Sequence, residues 1–239
     1  MASRMSEAGC RIGIVTLFPE VILPYLAASI PARAASKGLV EFRVVQLRDF
    51  ATDRHRTVDD TPYGGRAGMV LKPEPMVAAV ESLGEPGRVV VMSARGKPLT
   101  HQDVVRYSLE PKLTSVCGHY KDIDQRVVDV LGADEVSIGD FIMSGGEPAA
   151  LCMVDAIVRL LPGALGDHES ASSDSFYDGL LSPPSYTRPP EFRGLMVPEV
   201  LRSGNHAEID AWKQREAERL TAQRRPDLWA AWHQQHETE

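Results

Sequence analysis

Short strand-like segments alternate along the chain with segments of helical pattern, and this alternation is the feature that most restricts the fold. The strand-like segments are IGIVTL from Ile12, VEFRVVQL from Val40, RVVVM from Arg88, LTSVC from Leu113 and EVSIG from Glu135. Their length and their valine and isoleucine content are typical of buried strands. Strands that alternate with helices form a mostly parallel sheet covered on both faces. The sequence therefore predicts an α/β fold with an open parallel sheet.

The helical segments lie between these strands, and the last of them is unusually apolar. The predicted helices cover about Glu20–Ser29, Met76–Ser82, Thr100–Tyr107, Gln125–Leu131 and Glu147–Leu161. Apolar residues occur on nearly every side of the last helix, which indicates burial in a core or in an interface. Pro148 suits its first turn, and Arg159 is a charge near its end.

Three loops, MSARG, CGHYK and IGDFIMSGGE, follow the carboxyl ends of predicted strands. In open α/β sheets ligands bind at this edge. The third loop places Gly139, Gly145 and Gly146 between a strand and a helix, although glycine weakens both elements. We interpret these glycines as giving a tight turn or letting another group approach the backbone. They do not match the patterns GxGxxG or GxxxxGK[ST], so the usual nucleotide-phosphate sites are not predicted.

A long polar stretch, residues 48–75, has neither helical nor strand periodicity. Loops of this length inside a compact domain are usually functional or disordered. Asp53, His55, Asp59 and Asp60 in this stretch are of the type that binds hard metal ions. A solvated loop with local side-chain hydrogen bonds is the favoured interpretation, and no residue is assigned as a metal ligand.

The composition changes after residue 162, where GALGDHESASSDS is rich in serine and acids and has little to bury. The predicted organisation is a first domain over residues 1–162, a flexible linker over 163–175 and a helical domain over 176–239. The last part contains basic residues and tryptophans that are suited to nucleic acid, namely Lys213, Arg215, Arg219, Arg224, Arg225, Trp212, Trp229 and Trp232. Acidic residues lie among them, so an ordinary exposed amphipathic helix is at least as good an interpretation.

The net charge, the cysteines and the apolar runs argue against several classes of protein. The net charge of −7 gives no global support for nucleic-acid binding, although a local basic patch is compatible with it. The three cysteines form no CxxC pair, which argues against a zinc site or a disulfide framework and for a reducing cytoplasm. No apolar run is long enough to span a membrane, and the first residues lack the apolar segment of a secretory signal.

Several long motifs are together similar to those of one enzyme family. They are DRHRTVDDTPYGG with GMVLKPEP, SIGDFIMSGGE, RLLPGALG followed by DSFYDGLL, and YTRPPEFRG followed by VPEVLRSGNH. From about Arg11 to the last helix the chain resembles the bacterial tRNA (guanine-37-N1)-methyltransferases, the TrmD family. The resemblance implies the SPOUT fold, which is an open parallel α/β sheet with a deep trefoil knot, here followed by a small, mainly helical C-terminal domain that binds tRNA.

The resemblance also implies that the three loops bind S-adenosylmethionine, with Mg²⁺ as an additional candidate cofactor. The implied cofactor-binding residues are Met92, Gly118, Tyr120, Ile138, Gly139, Phe141, Met143, Gly145 and Gly146. The glycines would let backbone groups approach adenine and ribose closely, and the larger side chains would line the apolar side.

The implied reaction is methyl transfer to N1 of guanine 37, next to the anticodon of tRNA. N1 carries a proton at neutral pH, and negative charge develops toward O6 when that proton is removed. By resemblance Asp174 is the general base and Arg159 is its electrostatic partner. The implied RNA-binding residues are Asp59, Arg188, Ser203 and His206. The family also implies a cytoplasmic homodimer with shared active sites and no membrane association.

The chain departs from the family's usual motifs at three places. GRYEGID is replaced by GHYKDID, so that Lys121 and Asp122 stand where the family has glutamate and glycine. YGGGxGM becomes YGGRAGM with Arg66, and SPxG becomes SARG with Ala94. Two alternatives stay open: a related SPOUT methyltransferase that acts on another RNA nucleotide, and an RNA-binding protein that has lost or weakened catalysis. The DSF and YTRPP segments speak against the first, and only Lys121 favours the second.

Overall fold

The computed structural model describes residues 9–65, 67–165 and 174–236. The chain divides into two compact units, Met1–Gly166 and Asp167–Glu239. The predicted linker, residues 163–175, and Arg66 lie largely or wholly outside the described residues. The proposed role of the linker and the effect of Arg66 therefore stay predictions.

A five-stranded sheet forms the centre of the first unit, and all its strands are parallel. In spatial order the strands are β2 (Val40–Gln46), β1 (Cys10–Thr16), β6 (Lys112–Cys117), β5 (Arg88–Pro98) and β8 (Asp134–Ser137). Every predicted strand is present. The prediction of an open parallel α/β sheet is confirmed.

Helices cover both faces of this sheet because successive strand residues point to opposite sides. Ile12 and Ile14 of β1 belong to one buried cluster, whereas Val15 belongs to the cluster on the other face. The helices are α1 (Pro19–Leu26), α2 (Ser29–Ser36), α3 (Pro73–Glu81), α4 (His101–Ser108), α5 (Gln125–Leu131) and α6 (Glu147–Leu160). Residues of α1, α2, α4 and α6 pack on the first face, and residues of α3 and α5 pack on the second.

Two local predictions differ from the structure. The first predicted helix, about Glu20–Ser29, ends at Leu26, and α2 (Ser29–Ser36) was not predicted; Ala28 separates the two with extended backbone angles of φ −120° and ψ 156°. The loop SARG lies within β5, whose pairing with β8 shifts in register between Met92 and Lys97. Met92 and Lys97 both pair with Val136, so the four residues between them form a wide bulge on this side of β5, and the apolar run RVVVM marked only the regular half.

The long polar stretch contains short elements that its sequence does not show. A 3₁₀ helix covers Leu47–Phe50, and β3 (Asp59–Asp60) and β4 (Val70–Leu71) form a small sheet with β7 (Asp122–Ile123). Two-residue strands are too short to produce a periodic pattern. The small sheet brings the polar stretch next to the GHYKDID loop, since Lys121 N donates to Met69 O at 2.9 Å.

A buried hydrogen bond links β1 to the start of α6. Thr16 is fully buried, and its Oγ1 donates to Glu147 Oε1 at 2.7 Å and accepts from Phe18 N at 2.9 Å. Glu147 lies in the first turn of α6, where the helix dipole favours a negative charge.

Thr16→Val is expected to lower the free energy of unfolding by about 1.5 kcal/mol, because it leaves a buried carboxylate oxygen without this donor. Denaturant unfolding would measure the loss. Thr114→Val is the matched control: Thr114 is equally buried, but its hydroxyl donates to the neutral carbonyl of Pro86 at 2.7 Å. An equal or larger loss for the control would contradict the importance of the charged acceptor.

The second unit is mainly helical in the part that the structure describes. A hairpin of β9 (Glu191–Phe192) and β10 (Leu195–Met196) precedes a 3₁₀ helix at Glu199–Arg202, α7 (His206–Arg224) and α8 (Pro226–His236). Arg193 and Gly194 connect the hairpin with φ of 53° and 82°, as a type I′ turn requires. Among the described residues, no helix is both long and apolar enough to cross a membrane.

Candidate functional site

An open cavity lies at the carboxyl edge of the large sheet, among the loops that follow β6 and β8 and the bulge of β5. Its volume is about 240 Å³. A cavity needs about 10–15 Å³ of this kind of volume to hold one water molecule, so this cavity has room for part of an organic ligand rather than for one ion. Its position is the edge at which open α/β sheets bind ligands.

Every residue that the sequence analysis assigned to cofactor binding lines this cavity. They are Met92, Gly118, Tyr120, Ile138, Gly139, Phe141, Met143, Gly145 and Gly146. These residues come from three loops that are separated in sequence, and the fold brings them together. The function of these residues in cofactor binding stays a prediction.

Gly145 and Gly146, between β8 and α6, admit the close approach of another group, as the sequence interpretation allowed, and the group in this structure is protein. Gly146 N donates to Gly118 O at 2.8 Å, and a Cβ on Gly146 would lie 2.8 Å from Gly118 N. A Cβ on Gly145 would lie 2.4 Å from Glu147 Oε2 and 2.8 Å from His119 Nδ1. At both positions the group that approaches closely is protein, so these glycines allow two loops to pack together.

Gly118 and Gly139 differ from that pair. A Cβ on Gly118 would make ordinary contacts, the nearest at 3.4 Å to the Ile123 side chain. Gly139 has φ of 155°, a backbone conformation that L side chains rarely adopt, and the Phe141 ring lies against it. Ser137 Oγ donates to Gly139 O at 3.0 Å and closes this turn.

Large apolar side chains at the cavity remain open to a ligand. The exposed fractions of Tyr120, Phe141 and Ile142 are 44%, 55% and 83%. A partly apolar wall combined with loop backbone is the usual lining of a small-molecule site. A purine nucleoside attached to a thioether or sulfonium chain matches this lining, so the residues present fit S-adenosylmethionine.

Arg95 lines the cavity, links β5 to β7, to the start of α5 and to β8, and was not identified from the sequence. Its guanidinium donates to Glu135 Oε1 and to Gln125 Oε1, each at 2.8 Å, and lies 3.3 Å from Asp122 Oδ2. The hydrogen bond that Arg95 donates to Glu135, and then the charge of Asp122, raise the pKa of Arg95. Its position in a loop after a strand was the only available signal, because its partners are distant in sequence.

Cys117 lies beside the cavity but is not suited to nucleophilic catalysis. Its thiol is buried, and burial followed by the charge of Glu147 raises its pKa well above the ordinary value. The thiolate is the reactive form of cysteine. A mechanism with a covalent cysteine intermediate at this position is therefore disfavoured.

The residues expected to act in catalysis and in RNA binding lie in both units. Arg159 is exposed in the last turn of α6, and Asp59 lies in β3, both in the first unit. The others are exposed in the second unit and are Asp174, Arg188, Ser203 and His206. Ser203 Oγ donates to Val200 O at 2.8 Å and accepts from Asn205 N at 3.0 Å, immediately before α7.

In the polar stretch, residues 48–75, the side chain of Asp53 forms local hydrogen bonds, as expected for a solvated loop. Asp53 accepts from Thr57 Oγ1 and Thr57 N, each at 2.8 Å, and from His55 N at 3.2 Å. In the described ranges, no group of three histidine, cysteine or acidic residues is placed to hold a metal ion.

Comparison with known proteins gives one consistent result. The family model described as tRNA (Guanine-1)-methyltransferase TrmD matches residues 10–231. A protein of Mesorhizobium japonicum named tRNA (guanine-N(1)-)-methyltransferase is 49% identical over 224 residues, which cover 92% of this chain and 97% of the relative. A protein of the same name from Brevibacillus brevis is 51% identical over 220 residues, which cover 91% of this chain and 90% of the relative.

Proposed function

Because the chain belongs to the TrmD family of tRNA (guanine-1)-methyltransferases, we propose that it transfers the methyl group of S-adenosylmethionine to N1 of guanine 37 in tRNA. The observation that carries the proposal is the convergence on one cavity of all nine residues assigned to the cofactor. The apolar side chains exposed there match a nucleoside ligand. The uninterrupted family match, from β1 to α8, favours catalysis over a binding-only function.

The chemistry assigned to the chain's residues is proton removal and charge stabilisation. Bound S-adenosylmethionine supplies a methyl group that is already activated on a sulfonium. We assign Asp174 as the general base that accepts the N1 proton, and Arg159 as the cation that offsets negative charge on O6. Because a carboxylate is a weak base for this proton, the two residues have to act together in a site closed to water.

RNA binding is assigned to residues of both units. Asp59, Arg188, Ser203 and His206 are proposed to hold the anticodon stem-loop, with guanine 37 turned out of its stack toward the cavity. Extrusion of a base costs a few kcal/mol, which contacts of this kind offset. We also propose that the enzyme acts in the cytoplasm, where its tRNA substrate is found, and that Mg²⁺ is a candidate second cofactor.

A homodimer with shared active sites is part of the proposal. An exposed apolar surface on α1 supports it: the exposed fractions of Val21, Leu23 and Tyr25 are 46%, 53% and 41%. Partial desolvation and then a hydrogen bond to Asp155 of α6 raise the pKa of Tyr25, and this bond links the two helices at the exposed surface. We further propose that the chain around the cavity forms the trefoil knot, which is compatible with the close packing of the Gly118 and Gly146 loops.

The proposed function is tested by methyl transfer from labelled S-adenosylmethionine to two anticodon stem-loop transcripts, one with G37 and one with A37. Label on the G37 transcript alone is the expected result. Equal label on both, or label at another guanine, would favour the alternative of a related methyltransferase. Absence of label, from protein that binds tRNA and is folded by its melting curve, would favour the binding-only alternative.

A further inference from the structure

Lys121 lines the cavity and is held there by its backbone and its aliphatic stem. Its N donates to Met69 O at 2.9 Å, next to the small sheet. Its stem passes Gly68: a Cβ built on that glycine would lie 3.3 Å from Lys121 Cβ and 3.8 Å from its Cδ. These contacts leave only the end of the side chain to reach a ligand.

Among the charged side chains that line the cavity, Arg95 pairs with the one carboxylate, Asp122, and the charge of Lys121 remains. Arg95 pairs with Asp122 at 3.3 Å and with Glu135 at 2.8 Å. His119, the remaining basic residue there, packs its ring against Phe18 and Tyr120 at centroid distances of 5.0 and 4.9 Å. Within residues 9–65, 67–165 and 174–236, the ammonium of Lys121 forms no ion pair or side-chain hydrogen bond.

We propose that Lys121 binds the carboxylate of the methionine part of S-adenosylmethionine. The inference rests on the proposed function and concerns the same cavity. The donor's only anionic group is this carboxylate, and its nucleoside is assigned to the surrounding glycine loops. The Lys121 ammonium, which pairs with none of the described residues, supplies the complementary charge at the cavity wall. The family's usual motif has glutamate here, so this contact is a property of chains that carry lysine.

The test compares two ligands that share the nucleoside and the sulfur but differ in the amino-acid part, which carries the carboxylate. S-adenosylhomocysteine contains the amino-acid part, and 5′-methylthioadenosine lacks it. Calorimetric titration of the full chain is expected to show that Lys121→Gln weakens S-adenosylhomocysteine binding about 3- to 10-fold, as for a partly solvated ion pair. Binding of 5′-methylthioadenosine is expected to stay within about 2-fold.

Lys72→Gln is the matched control. Lys72 immediately precedes α3 in the same unit, is not among the cavity residues, and undergoes the same change of charge. It is expected to alter neither affinity. Lys121→Glu extends the test, because it should weaken S-adenosylhomocysteine further than Lys121→Gln does while 5′-methylthioadenosine again changes little.

Each possible result of these titrations leads to a different conclusion. Equal losses for both ligands would show a general disturbance of the cavity and overturn the proposal. Tighter S-adenosylhomocysteine binding by Lys121→Gln would place the lysine near the donor's ammonium, and an unchanged affinity with weakened tRNA binding would assign it to RNA; both overturn the proposal. If the unmodified chain bound neither ligand, the proposed function itself would fail, together with this inference.

Discussion

Asp174→Asn is expected to bind S-adenosylhomocysteine as tightly as the unmodified chain and to transfer methyl groups about 10²- to 10⁴-fold more slowly. The substitution keeps the size of the side chain but removes its ability to accept the N1 proton. A single-turnover measurement at saturating tRNA isolates this step from product release.

The fold around Asp174 makes this variant informative. Phe176 N donates to Leu180 O at 2.7 Å and Ser182 N donates to Ser175 Oγ at 2.9 Å, and Asp174→Asn leaves both hydrogen bonds in place. Asn is therefore expected to leave the segment folded.

Asp178→Asn is the matched control in the same segment. The Asp178 carboxylate accepts from Leu180 N at 3.2 Å, a contact that serves the local turn. We expect this variant to change the single-turnover rate by less than about 5-fold, since a weakened turn contact removes no base. If Asp174→Asn fell in the same range, or if both variants lost the rate equally, the assignment of the base would be wrong.

The large sheet could be predicted because most of its strands are marked by residue patterns within their own short segments. β1, β5 and β6 carry runs of apolar residues, β2 and β8 carry shorter apolar patterns, and alternation with helices implies parallel order. The ligand edge followed from the same alternation, since loops after parallel strands meet at one edge. The prediction of nine residues around one cavity needed, in addition, the resemblance to a known family.

The remaining features depend on contacts between residues distant in sequence. The two-residue strands β3, β4 and β7 exist only because they pair with one another, and nothing in their composition marks them. The links from Arg95 to Gln125 and Glu135 likewise require the folded sheet. The glycine motif was located correctly, but the sequence could not distinguish a glycine that admits a ligand from one that admits a neighbouring loop.

A second large effect is expected at Gly146, a glycine that admits a neighbouring loop. Gly146→Ala is expected to lower the free energy of unfolding by about 3 kcal/mol, at the upper end for overpacking. Its Cβ would meet Gly118 N at 2.8 Å and Cys117 Cα at 3.0 Å, and neither backbone atom can move aside as a side-chain end could. The hydrogen bond from Gly146 N to Gly118 O at 2.8 Å would be strained as well.

The melting temperature and the affinity for S-adenosylhomocysteine should fall together in Gly146→Ala. A loss of this size corresponds to roughly 6–12 °C in a chain of this length. Because the two loops that would separate both line the cavity, the affinity is expected to fall at least about 10-fold, as for misplaced binding groups.

Gly118→Ala changes the neighbouring position at the cavity without the expected loss of stability, so it tests the effect on binding alone. Its Cβ would lie 3.4 Å from Ile123 and 3.7 Å from Met92 O, which are ordinary contacts, so the melting temperature should change by less than about 2 °C. Any loss of affinity in this variant would then arise at the cavity wall itself. A Gly146→Ala protein that melted and bound like the unmodified chain would show that the loops have room to separate, and that the structural reason given for this glycine is wrong.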